Sequence, residues 1–208
     1  MGKDDHRPYS PETMTRLIDS FQRPIDYLRV SVTDRCDLRC TYCLPKGFKG
    51  FEEPAHWLRH DEMSRLVGLF VGLGVSKVRL TGGEPLLRRG VSDLARQLTG
   101  LKGLRDLSVS SNGTQLARHA ADLREAGVHR LNISLDSLDP ACFAHITGRD
   151  CLADVLEGLR VARAVGFSPI KLNMVVQADV NLDEVRRMVA FAIEQGFVLR
   201  LIEPMPVG

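Results

Sequence analysis

The chain has 208 residues, and 28 Lys and Arg against 26 Asp and Glu give a formal net charge of +2. This length is enough to bury a sizeable core, and 44% hydrophobic with 26% charged residues excludes an intrinsically disordered chain. No apolar run approaches the roughly 18 residues of a membrane span, and the near-neutral charge indicates neither a nucleic-acid nor a membrane partner. The N-terminus lacks a secretory signal, so we expect a cytoplasmic protein whose five cysteines stay reduced.

Predicted helices and strands alternate along the chain, and most of the helices end at a glycine that begins a short link to the next strand. Strict alternation with this spacing is typical of a parallel sheet with right-handed crossovers. The strands are expected at about 27–33, 76–82, 105–111, 130–136, 169–176 and 199–204, and the helices at about 61–73, 91–99, 115–126, 152–165 and 182–195. Asn181 and Glu184 have the spacing of a capping box for the last helix.

Two segments show no periodic pattern of apolar residues and are therefore assigned to a tail and a loop. Residues 1–22 are expected to form an N-terminal tail, and residues 44–60 a long loop within a domain that spans residues 23–208. Phe143, Ile146 and residues 147–150 are expected to form a loop over the rim of the sheet.

The first five strands alternate apolar and polar side chains, whereas a parallel strand covered on both faces reads as continuous apolar sequence. One interpretation is a sheet with one face open to water. The other is a curved sheet, a partial (β/α)6 TIM-like barrel of the α/β class with six parallel strands, whose concave polar face lines a cavity. Arg29, Arg79 and Lys171 fall on that polar face. Because buried cations need partners, the barrel interpretation predicts an anionic ligand such as a polyphosphate.

The strongest chemical signal is the group Cys36, Cys40 and Cys43, which directly follows the first predicted strand. In βα folds the site lies at the carboxyl ends of the strands, so this loop falls on the functional rim. Three thiolates can hold three irons of a [4Fe–4S] cluster and leave the fourth iron to a non-protein ligand. The alternative is a structural zinc ion with His56 or His60 as its fourth ligand.

Two motifs resemble those of the radical S-adenosylmethionine (SAM) enzymes. One is the CxxxCxxC loop with Tyr42 before its last cysteine, and the other is the rim loop Gly82-Gly83-Glu84-Pro85. The resemblance implies the radical SAM fold. Five ordered blocks narrow it to the molybdenum-cofactor biosynthesis protein A family, the GTP 3′,8-cyclases, from about residue 22 to the last residue. The blocks are residues 28–36, 79–86, 132–138, 171–176 and 202–206.

The resemblance to the cyclases implies roles for individual residues. The cluster ligands are Cys36, Cys40 and Cys43; the SAM contacts are Tyr42 through its backbone, Gly83, Glu84 near the methionine ammonium, Ser134 and Met205; and the GTP contacts are Arg29, Arg79, Ser110 and Lys171. No side chain is expected to act as a general acid or base, because the cluster and SAM carry the chemistry.

The implied activity is that of a lyase. Reductive cleavage of SAM gives a 5′-deoxyadenosyl radical that takes H3′ from GTP, and the product is 3′,8-cyclo-7,8-dihydro-GTP. An external electron donor and a homodimer are the further partners expected. Family members continue into a C-terminal region with a second cluster, which this sequence lacks, so full activity is not expected from this chain alone.

Two alternatives stay open. One is another radical SAM enzyme that modifies a peptide or small molecule, although a peptide does not need three buried cations. The other is a non-catalytic metal-binding fragment with the same fold.

Overall fold

A parallel sheet of six strands runs through the chain, of which the computed structural model describes residues 16–43 and 57–204. The elements in chain order are β1 (Tyr27–Ser31), α1 (His60–Gly72), β2 (Lys77–Thr81), α2 (Val91–Thr99), β3 (Asp106–Ser111), α3 (Leu116–Glu125), β4 (Arg130–Ser134), α4 (Pro140–Thr147), α5 (Leu152–Ala164), β5 (Ile170–Val175), α6 (Val185–Gln195) and β6 (Val198–Ile202). The strands pair in the order β1 to β6, so β1 and β6 form the two edges of an open barrel. The predicted α/β partial barrel is confirmed, and the six strands lie at their predicted positions to within two residues at either end.

The alternating pattern of the strands decides which side of the sheet carries the core. Val78, Leu80, Leu107, Val109 and Leu131 are fully buried beneath the helices. Burying one such side chain contributes about 1.5–3 kcal/mol relative to leaving it exposed. Because successive side chains point to opposite faces, this burial aims the polar residues between them at the concave side.

The stretch from Phe143 to Asp150 was expected to be a loop, and this prediction was wrong because most of it belongs to α4. The Asp139 carboxylate accepts a hydrogen bond from the backbone N–H of Cys142 at 2.8 Å and caps the helix, whose first residue is proline. Phe143 is buried against the core, and the helix ends at Gly148 with φ of 72°. Helix α4 is a single short amphipathic unit, which is too short for its period to stand out in the sequence.

The capping box predicted for the last helix is also wrong. The Asn181 side chain instead donates hydrogen bonds to the carbonyl oxygens of Asp136 at 2.8 Å and Val175 at 3.0 Å. The Glu184 carboxylate turns towards the segment before α4 and accepts from the backbone N–H of Leu138 at 2.9 Å. Both side chains form hydrogen bonds with backbone groups outside α6, and these bonds hold the start of α6 against the neighbouring loops.

Residues 16–22, assigned to the tail from the sequence, run beside the end of α1. The backbone N–H of Leu17 donates to the carbonyl of Leu73 at 3.1 Å, and that of Ile25 donates to the carbonyl of Leu17 at 2.9 Å. The division between tail and domain at residue 22 stays a prediction. Residues 1–15, most of the predicted long loop (44–56) and residues 205–208 lie outside the described part of the chain. Within residues 16–43 and 57–204, every helix is too short or too polar to cross a membrane.

A glycine inside α5 offers a test of the packing between α3 and α5. A methyl group at Gly158 would lie 2.8 Å from Leu116 Cβ and 3.0 Å from the Gly113 carbonyl oxygen. Helix propensity alone favours Ala by about 1 kcal/mol, but overpacking costs about 1–3 kcal/mol. We therefore expect Gly158→Ala to lower the free energy of unfolding by up to about 2 kcal/mol in urea titrations.

The matched control is Gly68→Ala in α1, where the added methyl group would meet, among the described residues, Leu101 Cδ2 at an ordinary contact distance of 3.6 Å. This variant is expected to raise the free energy of unfolding by about 0.5–1 kcal/mol. Stabilisation by both substitutions would show that α3 and α5 do not approach as closely as described.

Candidate functional site

A cavity of about 640 Å³ lies on the concave side of the sheet, towards the carboxyl ends of the strands. Nine of the predicted site residues line it: Arg29, Cys36, Cys40, Tyr42, Cys43, Arg79, Gly83, Ser110 and Ser134. Glu84 and Lys171 are not among its lining residues. Met205 lies outside the described residues. The strand pattern and the rim loops therefore converge on one site.

The three cysteines lie on one side of this cavity. Leu38 N–H points at Cys36 Sγ at 3.5 Å, and Cys43 N–H donates to the Cys40 carbonyl at 3.0 Å, which closes a tight turn. Burial raises the pKa of the Cys36 thiol, and burial with the nearby Asp136 carboxylate raises that of Cys40 to about 12. The surroundings of both thiols thus disfavour the thiolate, and a bound cation stabilises that form.

Helix α4 supports the cysteine loop through backbone hydrogen bonds. Arg39 N–H donates to the Thr147 carbonyl at 2.8 Å, and Thr41 N–H donates to the Ile146 carbonyl at 2.9 Å. These acceptors belong to the last turn of the helix, whose carbonyl groups have no partner within the helix. The helix missing from the sequence prediction is thus a direct support of the predicted metal ligands.

Asp37, which lies between the first two cysteines, is held from two further directions. Its Oδ1 accepts from Asn112 Nδ2 at 2.7 Å, and its Oδ2 accepts from Thr114 Oγ1 at 2.7 Å and from Arg149 at 3.2 Å. Its side chain is only 13% exposed. The residues after β3 and after α4 therefore hold the cysteine loop in place through the carboxylate of Asp37.

The rim loop after β2 approaches the cysteine loop backbone to backbone. A Cβ atom at Gly83 would lie 2.3 Å from the carbonyl oxygens of Asp34 and Arg35. At Gly82 it would lie 2.2 Å from the Thr33 carbonyl oxygen. Because real side chains cannot occupy that space, the pair of glycines is required for this contact. The Gly83 N–H also donates to the Thr33 carbonyl at 2.7 Å.

The Glu84 side chain turns away from the cavity into the protein. Its Oε1 accepts from Leu86 N–H at 3.0 Å and from the Ser111 hydroxyl at 2.8 Å, and its Oε2 accepts from Asn112 N–H at 2.6 Å. The residue is fully buried, and this burial raises the pKa of the carboxyl to about 7. The contact with a methionine ammonium expected from the sequence stays a prediction.

Tyr42 and Asp136 join the cysteine loop to the far side of the sheet. The Tyr42 hydroxyl donates to Asp136 Oδ2 at 2.6 Å, while Val175 N–H donates to Asp136 Oδ1 at 2.7 Å. Asp136 lines the cavity but received no role from the sequence. The sequence feature that could have identified it is its place in the polar series of the fourth predicted strand.

Cations line the cavity on the strands themselves, but Arg29 and Arg200 are exposed, so the burial expected of Arg29 from the sequence is wrong. Arg29 and Arg79 face each other across β1 and β2 in the same register, and Arg200 on β6 also lines the wall. Burial lowers the pKa of Arg79, and the positive charges of Arg29 and Arg200 lower it further. Burial and three neighbouring arginines, Arg200 first among them, likewise lower the pKa of Lys171.

These cations lack acidic partners in the part of the chain that the structure describes. Within residues 16–43 and 57–204, no carboxylate oxygen lies within 4.0 Å of Arg29, Arg79, Lys171 or Arg200. Neither Asp136 nor Glu84 forms an ion pair with Arg29 or Lys171 in this part of the chain. Sequence reasoning passed over Arg200, the only polar residue of its strand, because that strand did not alternate.

The donor set distinguishes a cluster from a single zinc ion. No three His, Cys, Asp or Glu side chains among the described residues converge on one metal position. His60 lies beside Gly90 at the start of α1, and His56 is outside the described residues. In an iron–sulfur cluster each thiolate binds a different iron, so three cysteines that share a cavity wall need not converge. The cysteines thus fit a cluster better than a mononuclear zinc site.

Comparison with known proteins places these features in context. The family model of the radical SAM superfamily matches residues 30–192. A protein named GTP 3′,8-cyclase from Ectopseudomonas mendocina (strain ymp) is 50% identical over 193 residues, which are 93% of this chain and 58% of that protein. GTP 3′,8-cyclase 1 from Pseudomonas aeruginosa is 51% identical over 195 residues, which are 94% of this chain and 59% of that protein. The chain therefore spans less than two thirds of the length of these relatives.

Solved structures share the fold at low sequence identity. Streptococcus suis SuiB bound to S-adenosylmethionine matches 88% of this chain and 40% of its own, with a TM-score of 0.69 and 19% identity. The protein anSMEcpe with bound AdoMet matches 86% of this chain and 49% of its own, also with a TM-score of 0.69 and 19% identity. Such likeness supports the partial barrel and carries no further conclusion about substrate.

The buried carboxyl of Glu84 predicts a pH dependence of stability. Its pKa of about 7 in the fold lies above its ordinary value of 4.5, so the folded state binds the proton more tightly than the unfolded state. The stability gained from this protonation is complete below pH 4.5 and is lost as the pH rises towards 7 and beyond. Glu84→Gln removes the titration while keeping the shape of the side chain.

We expect the free energy of unfolding of the wild type, minus that of Glu84→Gln, to fall by about 2 kcal/mol between roughly pH 5.5 and pH 8. Urea titrations of both chains across this range measure the difference, in which the other titrating groups cancel. A difference that stays constant with pH would contradict a raised pKa for Glu84.

Proposed function

This chain belongs to the radical SAM superfamily, and from that premise we propose that it carries the cofactor-binding part of a GTP 3′,8-cyclase. The cofactors of the superfamily are a [4Fe–4S] cluster and S-adenosylmethionine. Relatives about half identical to this chain bear the cyclase name, and the chain spans 58–59% of their length. The proposed reaction class is a lyase of molybdenum-cofactor synthesis.

One observation carries the proposal: three cysteines share one cavity with cations that have no acidic partner among the described residues. Cys36, Cys40 and Cys43 line it together with Arg29 and Arg79. The thiols suit a cluster with an open iron, and the cations suit a polyanion. A substrate that combines a triphosphate with a ribose satisfies both sides, whereas a peptide leaves the cations without partners.

In the proposed site, the three cysteines ligate the cluster and other groups on the rim bind SAM. Tyr42, Gly83 and Ser134 line the cavity, and in the proposal they contact SAM, Tyr42 through its backbone. When bound, the cluster and SAM together supply the one-electron chemistry that starts the reaction. Gly83 contributes by its small size, because the loop beside it is packed too closely for a side chain.

The cations hold the triphosphate of GTP. Arg29, Arg79 and Lys171 form charge-assisted hydrogen bonds to phosphate oxygens, and Ser110 adds a neutral contact. Arg200 lies on the same wall and extends this set. Fixing the phosphates determines where the ribose lies, so these residues orient its 3′ carbon towards SAM and act by positioning.

The proposal also includes partners. An external one-electron donor must reduce the cluster before each turnover, and the homodimer expected from the sequence belongs to the same proposal. Exposed apolar residues on the edge strand β6, Leu201 at 52% and Ile202 at 41%, support contact with further protein at that edge.

Turnover of SAM tests the proposal directly. The chain is reconstituted anaerobically with iron and sulfide, reduced, and incubated with SAM and GTP deuterated at the ribose 3′ carbon. We expect 5′-deoxyadenosine to form in a yield that GTP increases, and to carry deuterium detected by mass spectrometry. Deuterium-free 5′-deoxyadenosine, in a yield unaffected by GTP, would contradict GTP as the substrate while leaving the superfamily assignment intact.

Arg79 gives a sharper test of the phosphate site. Arg79→Ala removes a cation with no acidic partner among the described residues, so GTP should bind about 10- to 100-fold more weakly, as measured by calorimetry. Iron content per chain should not change, because Arg79 contacts Ser108 and Tyr27, away from the cysteine loop.

The matched control is Arg187→Ala, which removes an exposed arginine from α6. GTP affinity should be the same as in the wild type. Equal affinity of the Arg79→Ala variant and the control would overturn the assignment of Arg79.

A further inference from the structure

The side-chain amide of Asn112 touches the cysteine loop at two points. Its Nδ2 lies 3.8 Å from Cys36 Sγ and 2.7 Å from Asp37 Oδ1, within donating distance of both. Asn112 directly follows β3 and lines the cavity. One amide therefore bridges the sulfur of a cluster ligand and the carboxylate next to it.

The orientation of this amide is fixed by its other partners. Asn112 Oδ1 accepts from the backbone N–H of Thr114 at 3.0 Å, so the carbonyl end faces Thr114. A flipped amide would put its NH2 group against the Thr114 N–H and its oxygen against the Asp37 carboxylate. The backbone N–H of Asn112 is bound to the buried Glu84 carboxylate at 2.6 Å, which fixes the position of the residue itself.

We propose that Asn112 raises the reduction potential of the cluster bound at Cys36, Cys40 and Cys43. An N–H group directed at a ligating sulfur withdraws electron density from it and favours the reduced cluster, and such bonds are among the determinants of iron–sulfur potentials. The same amide also donates to Asp37, so the negative charge of that carboxylate is directed at the Asn112 N–H group. The inference depends on the cluster and is independent of GTP.

A charge-conserving exchange provides the test. The double variant Asp37→Asn/Asn112→Asp keeps one amide and one carboxylate between the two positions and leaves the net charge unchanged. Thr114 can still donate to the new carboxylate. The exchange places a carboxylate oxygen, instead of an N–H group, beside Cys36 Sγ. Asn112→Leu, of similar volume, removes the donor alone, and Asp37→Asn is the control that retains Asn112.

The measurement is a redox titration followed by EPR on reconstituted protein without SAM or GTP, with iron counted per chain. At a fixed solution potential, the ratio of reduced to oxidised cluster should fall about tenfold in the exchange variant, or about 59 mV for a one-electron couple. It should fall about threefold in Asn112→Leu. It should rise in Asp37→Asn, which loses a negative charge.

Two results would overturn the proposal. One is a full complement of iron in the exchange variant with a potential equal to or above that of the wild type. The other is loss of the cluster from both Asn112 variants while circular dichroism shows that the chains are folded. That second result would make Asn112 a support for the shape of the loop, with no separate effect on the sulfur. Because GTP is absent throughout, failure of the substrate proposal would not alter either outcome.

Discussion

The carboxylate of Glu84 is the buried acceptor on which the rim of the cavity depends. It satisfies the backbone N–H groups of Leu86 and Asn112 and the hydroxyl of Ser111, and it is fully shielded from water. Leaving such buried donors without an acceptor costs about 1–3 kcal/mol each. Because Asn112 in turn holds Asp37, the position of the cysteine loop follows from a carboxylate that is not among the lining residues of the cavity.

A second, separate set of contacts holds the same loop from the other side. The last turn of α4 binds the backbone of Arg39 and Thr41, and the Tyr42 hydroxyl binds Asp136 beyond β4. The loop is thus fixed at its start by the β2 and β3 rims and at its end by α4 and β4. The fold itself thus positions the cysteines, which reduces the ordering that cluster binding must impose.

The sequence predicted correctly which face of each of the first five strands is polar, because side chains alternate between the two faces at every residue and this alternation needs no distant contact. Arg29 and Arg79 were placed on the polar side by alternation alone, and the structure brings both to the cavity wall. The direction in which a side chain of a loop points follows no such alternation. The motif that contains Glu84 placed it on the rim, but only the packing shows that its side chain points inward. The contact between Tyr42 and Asp136 joins residues 94 positions apart, and no local pattern encodes that distance.

The two sides of the cavity contribute to stability in opposite directions. The cysteine side is rich in satisfied hydrogen bonds, whereas Arg29 and Arg79 occupy the same register on neighbouring strands. Like charges placed directly opposite each other destabilise a sheet, and burial already lowers the pKa of Arg79. Without an acidic partner in the described residues, this pair costs stability, and an anion bound at the cavity wall would offset that cost. This cost at the wall of the cavity is the physical basis for proposing that the ligand is anionic.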